Sequence, residues 1–340
     1  MSPRIKVVLQ YVVLLSITVL LVWFSLRGLN QADPNDPASA WEKLEAAWAE
    51  ADKGWLLAMA GVAFGSHFIR AIRWKMLIEP SGYPVKTSHS FYSLMVGYLV
   101  NLVIPRGGEV SRCYNLYKLS KTPVDISFGT VVTERIIDVI CLLILIVISF
   151  VYESRKLFEF IDTLPLTFEF NATSLIVLGV GLVIVAALIL IPVFLLKPNS
   201  KARQFLQKVF TGFKAGLLSV FKLKKPITFI AYSVLVWLLY FVMTYAVMKA
   251  FPATENLGLG AVLSLFAIGA IAMAAPLPGG AGSYHVLVPQ GLVFLYGIAL
   301  PDAVAFTVIF HGWQTLMMIV GGAISLIITT GIVRKSKPLP

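Results

Sequence analysis

The sequence predicts an all-α polytopic membrane protein with about six full transmembrane helices and two broken or re-entrant helical hairpins, arranged as an inverted repeat. Composition is the first reason: 58% of the 340 residues are hydrophobic and 13% charged, where soluble domains carry roughly a quarter charged residues. Apolar runs are the second, because several reach the ~20 residues that a helix needs to cross a bilayer. The third is a pair of Gly-Gly breaks inside apolar runs. They read Asn101-Leu-Val-Ile-Pro105-Arg106-Gly107-Gly108-Glu109-Val-Ser-Arg112 and Pro276-Leu-Pro278-Gly279-Gly280-Ala-Gly282-Ser-Tyr284-His285. Lipid offers no partner to a freed backbone group, so a broken helix carrying polar residues lines a cavity or packs within protein.

Taken in order, the first apolar stretch runs from Val7 to Leu26 behind Arg4 and Lys6. It is long for a signal-peptide core and lacks a small-residue cleavage site, so it reads as a retained span. Full spans are expected at 7–27, 54–78, 127–151, 173–196, 227–249 and 301–332. The segments 88–117 and 259–298 each hold one break. Each is either two complete spans or a hairpin that enters and leaves on one side. The whole, 1–340, reads as a single integral membrane domain, with a first pseudo-repeat over 1–151 and a second over 173–333.

Charge sets the expected orientation. Arg4, Lys6, Arg70, Arg73, Lys75, Lys86, Lys118, Lys121, the lysines of 197–225 and the tail residues Arg334, Lys335 and Lys337 fall on one side of this scheme. The other side collects acidic residues, among them Glu42, Glu45, Asp52, Glu153, Glu255 and Asp302. The positive-inside rule then puts both termini in the cytoplasm and the protein in the cytoplasmic (inner) membrane. The formal charge of +11 is accounted for by topology, and no nucleic-acid partner is implied.

Between spans, Trp41, Leu44 and Trp48 share a helical face, which predicts a short helix at the outer interface. The 197–225 linker sets Phe205, Val209, Phe213 and Leu217 among lysines, as a basic amphipathic helix or a solvated linker. Asn171-Ala-Thr173 matches a short, common glycosylation sequon. Cys113 and Cys141 have no ligand or disulfide spacing and read as free thiols.

The halves echo one another. Gly107-Gly108 aligns with Gly279-Gly280, Asp125–Thr130 aligns with Asp302–Thr307, and the same offset sets Glu134 opposite His311. Two halves that start on opposite sides form an inverted repeat, an architecture with its site at the repeat interface.

Chemistry concentrates in few residues. Thr133-Glu134-Arg135-Ile-Ile-Asp138 opens the third full span. At ~1.5 Å per residue, Glu134 lies ~10 Å deep and Asp138 near the midplane, on one face. Charges at that depth face the protein interior and pair or mark a path. Arg106, Glu109 and Arg112 are their expected partners. The turns at Gly107-Gly108 and Gly279-Gly280 allow close backbone approach, and a half-helix starting after each offers N–H groups to an anion. Plain close packing is the other reading of these glycines. His285 and His311 suit either phosphate donation or packing. Arg70, Arg73 and Trp74 read as interface anchors.

Several classes are disfavoured. No Walker A motif, HExxH pair, nucleophile elbow or clustered Cys/His set occurs in the sequence. No catalytic residue, metal or cofactor is therefore assigned.

Together, Arg70-x-x-Arg73-Trp74, Asn101-x-x-x-Pro105-Arg106-x-Gly108-Glu109-x-x-Arg112, Glu134-Arg135-x-x-Asp138 and Pro278-Gly279-Gly280-x-Gly282 resemble the lysylphosphatidylglycerol synthase transmembrane-region family, also described as flippase-like membrane proteins. His285 stands where that family often has a glutamate. The resemblance implies a membrane domain that moves or accommodates a lipid, without the soluble aminoacyl transferase sometimes fused to it.

The expected function is translocation or binding of an anionic-headgroup phospholipid or lipid-linked glycan across the cytoplasmic membrane. Asn101, Arg106, Gly107, Gly108, Arg112, Gly279, Gly280 and His285 are assigned to the headgroup. Glu109, Glu134, Arg135, Asp138 and His311 are assigned to a buried charge network or gate. Two rivals stand beside it: a membrane-embedded lipid-phosphate transferase, and a non-transporting scaffold for envelope-biosynthesis enzymes.

Overall fold

A computed structural model describes residues 40–163 and 223–335 apart from Pro276, with scattered positions between Ser16 and Leu26. The spans expected at 7–27 and 173–196, the Asn171 sequon and all but the last residues of the 197–225 linker lie outside the described residues.

The described chain is helical throughout, with no strand. In order the helices are α1 (Ala40–Glu50), α2 (Lys53–Ile78), α3 (Thr87–Asn101), α4 (Gly107–Ser120), α5 (Val124–Thr163), α6 (Pro226–Ala250), α7 (Leu259–Ala274), α8 (Ser283–Tyr296) and α9 (Leu300–Lys335). Four segments, Lys53–Ser81, Val124–Glu153, Pro226–Ala250 and Leu300–Arg334, are long and apolar enough to cross a membrane. They fall on the four expected spans in this part of the chain. The protein is an all-α polytopic membrane protein.

The breaks fall where the sequence places them. The arms α3 and α4 have 15 and 14 residues, and α7 and α8 have 16 and 14. At ~1.5 Å per residue each arm is ~21–24 Å long, short of the ~30 Å hydrocarbon core. The arms therefore have re-entrant length.

Local chemistry sets the ends. Asp52 caps α2 by accepting from the Gly54 and Trp55 amides at 2.7 and 3.2 Å. The Lys53 ammonium turns back onto the carbonyls of Trp48, Ala49 and Ala51 at the end of α1. The α8 helix ends at Gly297, whose φ of 66° permits a paired closure. There Gly297 N–H donates to Val293 O at 3.0 Å and Ile298 N–H to Leu292 O at 3.3 Å. The short helix predicted around Trp41, Leu44 and Trp48 is α1. Leu44 packs beside Val304 and Ala305, and Trp48 meets Trp313 at 5.9 Å, while Trp41 stays exposed.

Packing joins the halves. The α2 and α6 helices pair along their length, α9 lies on α3, and α7 lies on α5. The main core takes Leu56, Met59, Val247, Leu265, Val288, Leu292 and Phe306 from five helices. A smaller core around Trp74 collects Ile78, Val85, Cys113, Leu116 and Val131. One face of α5 remains uncovered among the described residues, with Val139, Ile140, Leu143, Ile144 and Val147 exposed. Its other face carries the charges.

Candidate functional site

Five side chains from three helices meet at that charged face. Arg70 and Arg73 come from α2, Arg112 from α4, and Glu134 and Asp138 from α5. Arg70 bridges both carboxylates, donating from Nε to Glu134 Oε1 at 2.6 Å and from Nη2 to Asp138 Oδ2 at 2.8 Å. Arg73 repeats the bridge through Nη2, to Asp138 Oδ1 at 2.6 Å and Glu134 Oε1 at 3.1 Å. Arg112 Nη2 takes the remaining Glu134 oxygen, Oε2, at 2.8 Å. Tyr240 on α6 accepts from Arg70 Nη1 at 3.2 Å.

The network is dry. Glu134 and Arg73 are each 0% exposed, Arg112 3% and Arg70 6%. Burying an ion in a medium this apolar costs several kcal/mol unless partners satisfy it. Here three guanidiniums surround two carboxylates, which leaves one positive charge in excess. Among the described residues, Arg73 Nε and Nη1 and Arg112 Nε have no hydrogen-bond partner. Beneath them Arg112 lies over the Trp74 ring at 4.8 Å, and Trp74 Nε1 is held by Thr130 Oγ1 at 3.0 Å. A flanking pair, Arg135 Nη2 to Glu109 Oε1 at 2.8 Å, sits closer to the surface. Arg135 reaches Asp138 at 3.9 Å.

This corrects the sequence reading of Arg70 and Arg73. They are the inner members of the network rather than anchors at the membrane edge. Their i,i+3 spacing on one face of an apolar helix was the available signal. Tyr240 left no such trace.

The first break is held together by its own chain. Arg106 takes a left-handed φ of 59° just before α4. Gly107 N–H donates to Ile104 O at 2.9 Å, and Gly108 N–H to Asn101 Oδ1 at 2.7 Å. Both glycine amides are thus engaged within the turn. Gly108 is required by close approach, since a Cβ there would lie 2.2 Å from Gly97 O. Arg106 does not join the network. It extends across to Ala274 O at 3.4 Å, at the start of the second break.

The second break turns through Gly279 and Gly280, with φ of 59° and 73°. The Gly279 carbonyl accepts from or faces His311 Nε2 at 3.0 Å, and His285 meets His311 ring to ring at 4.8 Å. Gly282 N–H donates to His285 Nδ1 at 3.4 Å, which helps close the start of α8. His311, expected in the carboxylate network through its alignment with Glu134, instead serves its own half. His285, His311 and Tyr284, all buried, make a separate aromatic centre. The two breaks touch, because a Cβ on Gly279 would meet Leu102 Cδ2 at 3.2 Å. No group of three or more His, Cys, Asp or Glu with metal-binding geometry occurs among the described residues.

Fold and site define a polytopic helical membrane protein with an ionic centre inside its bundle and two broken helices meeting tip to tip. Residues 7–322 match the family described as the lysylphosphatidylglycerol synthase transmembrane region, and the chain belongs to that family. It is 32% identical over 114 residues to a UPF0104 membrane protein of Methanocaldococcus jannaschii, covering 32% of this chain and 34% of that protein. It is 23% identical over 267 residues to a UPF0104 membrane protein of Methanothermobacter thermautotrophicus, covering 71% of this chain and 75% of that one. The first of these alignments thus spans only about a third of the relative's length. No solved structure matches the chain.

Proposed function

We propose that the protein binds and translocates an anionic-headgroup phospholipid or lipid-linked glycan across the cytoplasmic membrane, as a transporter-like rather than enzymatic member of its family. The observation that carries this reading is the excess guanidinium at the centre of an apolar bundle, with buried donors on Arg73 and Arg112 left over. A structural ion-pair network favours balance, because an uncompensated buried charge is expensive. An anionic phosphate supplies the missing charge and acceptors, and guanidinium suits it geometrically.

The repeat supports a path on both sides of this centre. The order span, broken pair, span recurs as α2, α3–α4, α5 and as α6, α7–α8, α9. Its packing is reciprocal, with α2 on α6, α9 on α3 and α5 on α7. In this reading the halves are inverted and both termini are cytoplasmic, following the lysines and arginines at the ends near Lys75, Lys118, Lys225 and Arg334. The α3–α4 hairpin then enters from the cytoplasm and α7–α8 from outside. The Leu102–Gly279 contact closes the route between them, and His285 and His311 face its outer half.

The test is headgroup translocation in liposomes holding the purified protein, with a fluorescent anionic lipid and an external quencher. Arg112→Gln and Glu134→Gln are expected to abolish movement while the protein still reconstitutes. Failure of the wild-type protein to move any anionic lipid, or unchanged movement in both variants, contradicts the proposal and favours a scaffold. Movement that appears only with an added sugar or acyl donor favours the transferase.

A further inference from the structure

At the basic end of the bundle, away from the arginine network, α4 and α9 diverge around a cleft of about 410 Å³. Its mouth carries Lys118, Lys121 and Arg334, and no acidic residue lines it. None of these three cations forms an ion pair among the described residues, whereas Lys75 near the same end pairs with Glu79 at 3.4 Å. The floor is polar and built: Asn115, 4% exposed, donates to Thr329 Oγ1 at 3.2 Å and Ser93 Oγ at 3.3 Å. One wall is apolar, formed by Leu326 and Val333, and the exposed Ile319 lies two turns back on the same face of α9.

The backbone adds an independent sign. Among the described residues, Arg106 and Lys121 are the non-glycine residues at positive φ, and they bracket α4. Lys121, at φ 57°, ends the helix in the left-handed conformation, where glycine is the usual residue. A lysine held there against its backbone preference points to a task for the side chain. Its ammonium lies over the Tyr117 ring at 5.7 Å, and Lys118 lies over Tyr114 at 4.5 Å. Both cations are thereby steered along the rim, with aromatic rings of the kind that sit at headgroup level.

We propose that this cleft is a binding site for the headgroup phosphate of an anionic phospholipid, held by Lys118, Lys121 and Arg334 with an acyl chain against Leu326. The apolar wall running along α9 selects a lipid over a soluble phosphate. The site requires neither translocation nor the arginine network, so it stands or falls separately.

Native mass spectrometry of the purified full chain, titrated with dioctanoyl phosphatidylglycerol, dioctanoyl phosphatidylcholine or inorganic phosphate, tests this. The K118Q/K121Q/R334Q variant is expected to lose at least about tenfold in affinity for the phosphatidylglycerol. A control with equal charge loss at the same end, K86Q/K224Q/K225Q, is expected to keep its affinity. Lys121→Gly removes the cation while easing the backbone, so it is expected to weaken lipid binding without lowering thermal stability. Equal loss in the control overturns the proposal in favour of diffuse surface charge. Inorganic phosphate displacing the lipid at equal concentration overturns the lipid assignment. Equal binding of phosphatidylcholine overturns the role of the cations.

Discussion

Glu134 gives one carboxylate oxygen to Arg112 of the broken helix at 2.8 Å and the other to Arg70 and Arg73 of α2 at 2.6 and 3.1 Å. A single acidic side chain thus ties the re-entrant arm to the long span behind it. Any movement of α4 relative to α2 must break or share these bonds. The ionic centre is therefore a joint as well as a candidate site, and its variants should separate stability from lipid movement in different ways.

Removing the joint's acid leaves three guanidiniums facing Asp138 alone. Glu134→Gln is expected to destabilise the protein by about 3–5 kcal/mol, the usual result of stranding a buried charge. Adding Arg112→Gln restores the original charge excess and should recover part of that loss. Thermal unfolding of the two singles and the double in one detergent measures the coupling as a mutant cycle. Strict additivity would show that the two side chains do not share a bond.

Arg70 bridges two carboxylates at once, from Nε and Nη2. Lysine offers a point charge with no such fork. Arg70→Lys is expected to lose one charge-assisted hydrogen bond, about 1.5–3 kcal/mol. An unchanged unfolding midpoint would rule out the bridge.

Arg106 behaves differently. Its bond to Ala274 O is long and exposed, so Arg106→Ala should change stability by less than about 0.5 kcal/mol. If the contact between the two tips gates the path, lipid movement in liposomes changes even so. A large fall in stability with normal movement would make Arg106 a structural residue.

Asn101 and Gly108 form the turn itself. Asn101→Ala removes the acceptor for Gly108 N–H and should cost about 1 kcal/mol, as for other lost caps. Gly108→Ala places a methyl 2.2 Å from Gly97 O and should cost about 1–3 kcal/mol by overpacking. Equal and negligible effects in thermal unfolding would show that α3 and α4 do not meet as described.

Much of this was legible beforehand, for reasons that also explain the gaps. Apolar runs and Gly-Gly breaks located the helices because bilayer thickness fixes length and lipid forbids unpaired backbone. Glu134 and Asp138 stood out because four residues put them on one face at depth. Arg70 and Arg73 did not, since arginines before a tryptophan near a span's end look like anchors. What buries them is a 26-residue helix whose basic end packs through Trp74 and Ile78 against Cys113 and Leu116 of α4 and Val131 of α5. The Leu102–Gly279 and Arg106–Ala274 contacts join residues far apart in the chain, and no local pattern encodes such a meeting. His311, which the sequence alignment sets opposite Glu134, has as its partner the Gly279 carbonyl.

The most direct test of the central claim is photocrosslinking with an anionic phospholipid whose reactive group sits in the headgroup, with the adducts mapped by peptide sequencing. Adducts are expected on the segments holding Arg70–Trp74 and Glu134–Asp138 in the wild-type protein, and are expected to be lost in Arg112→Gln. Adducts confined to the exposed face of α5 between Val139 and Val147, and unchanged in Arg112→Gln, would contradict the account.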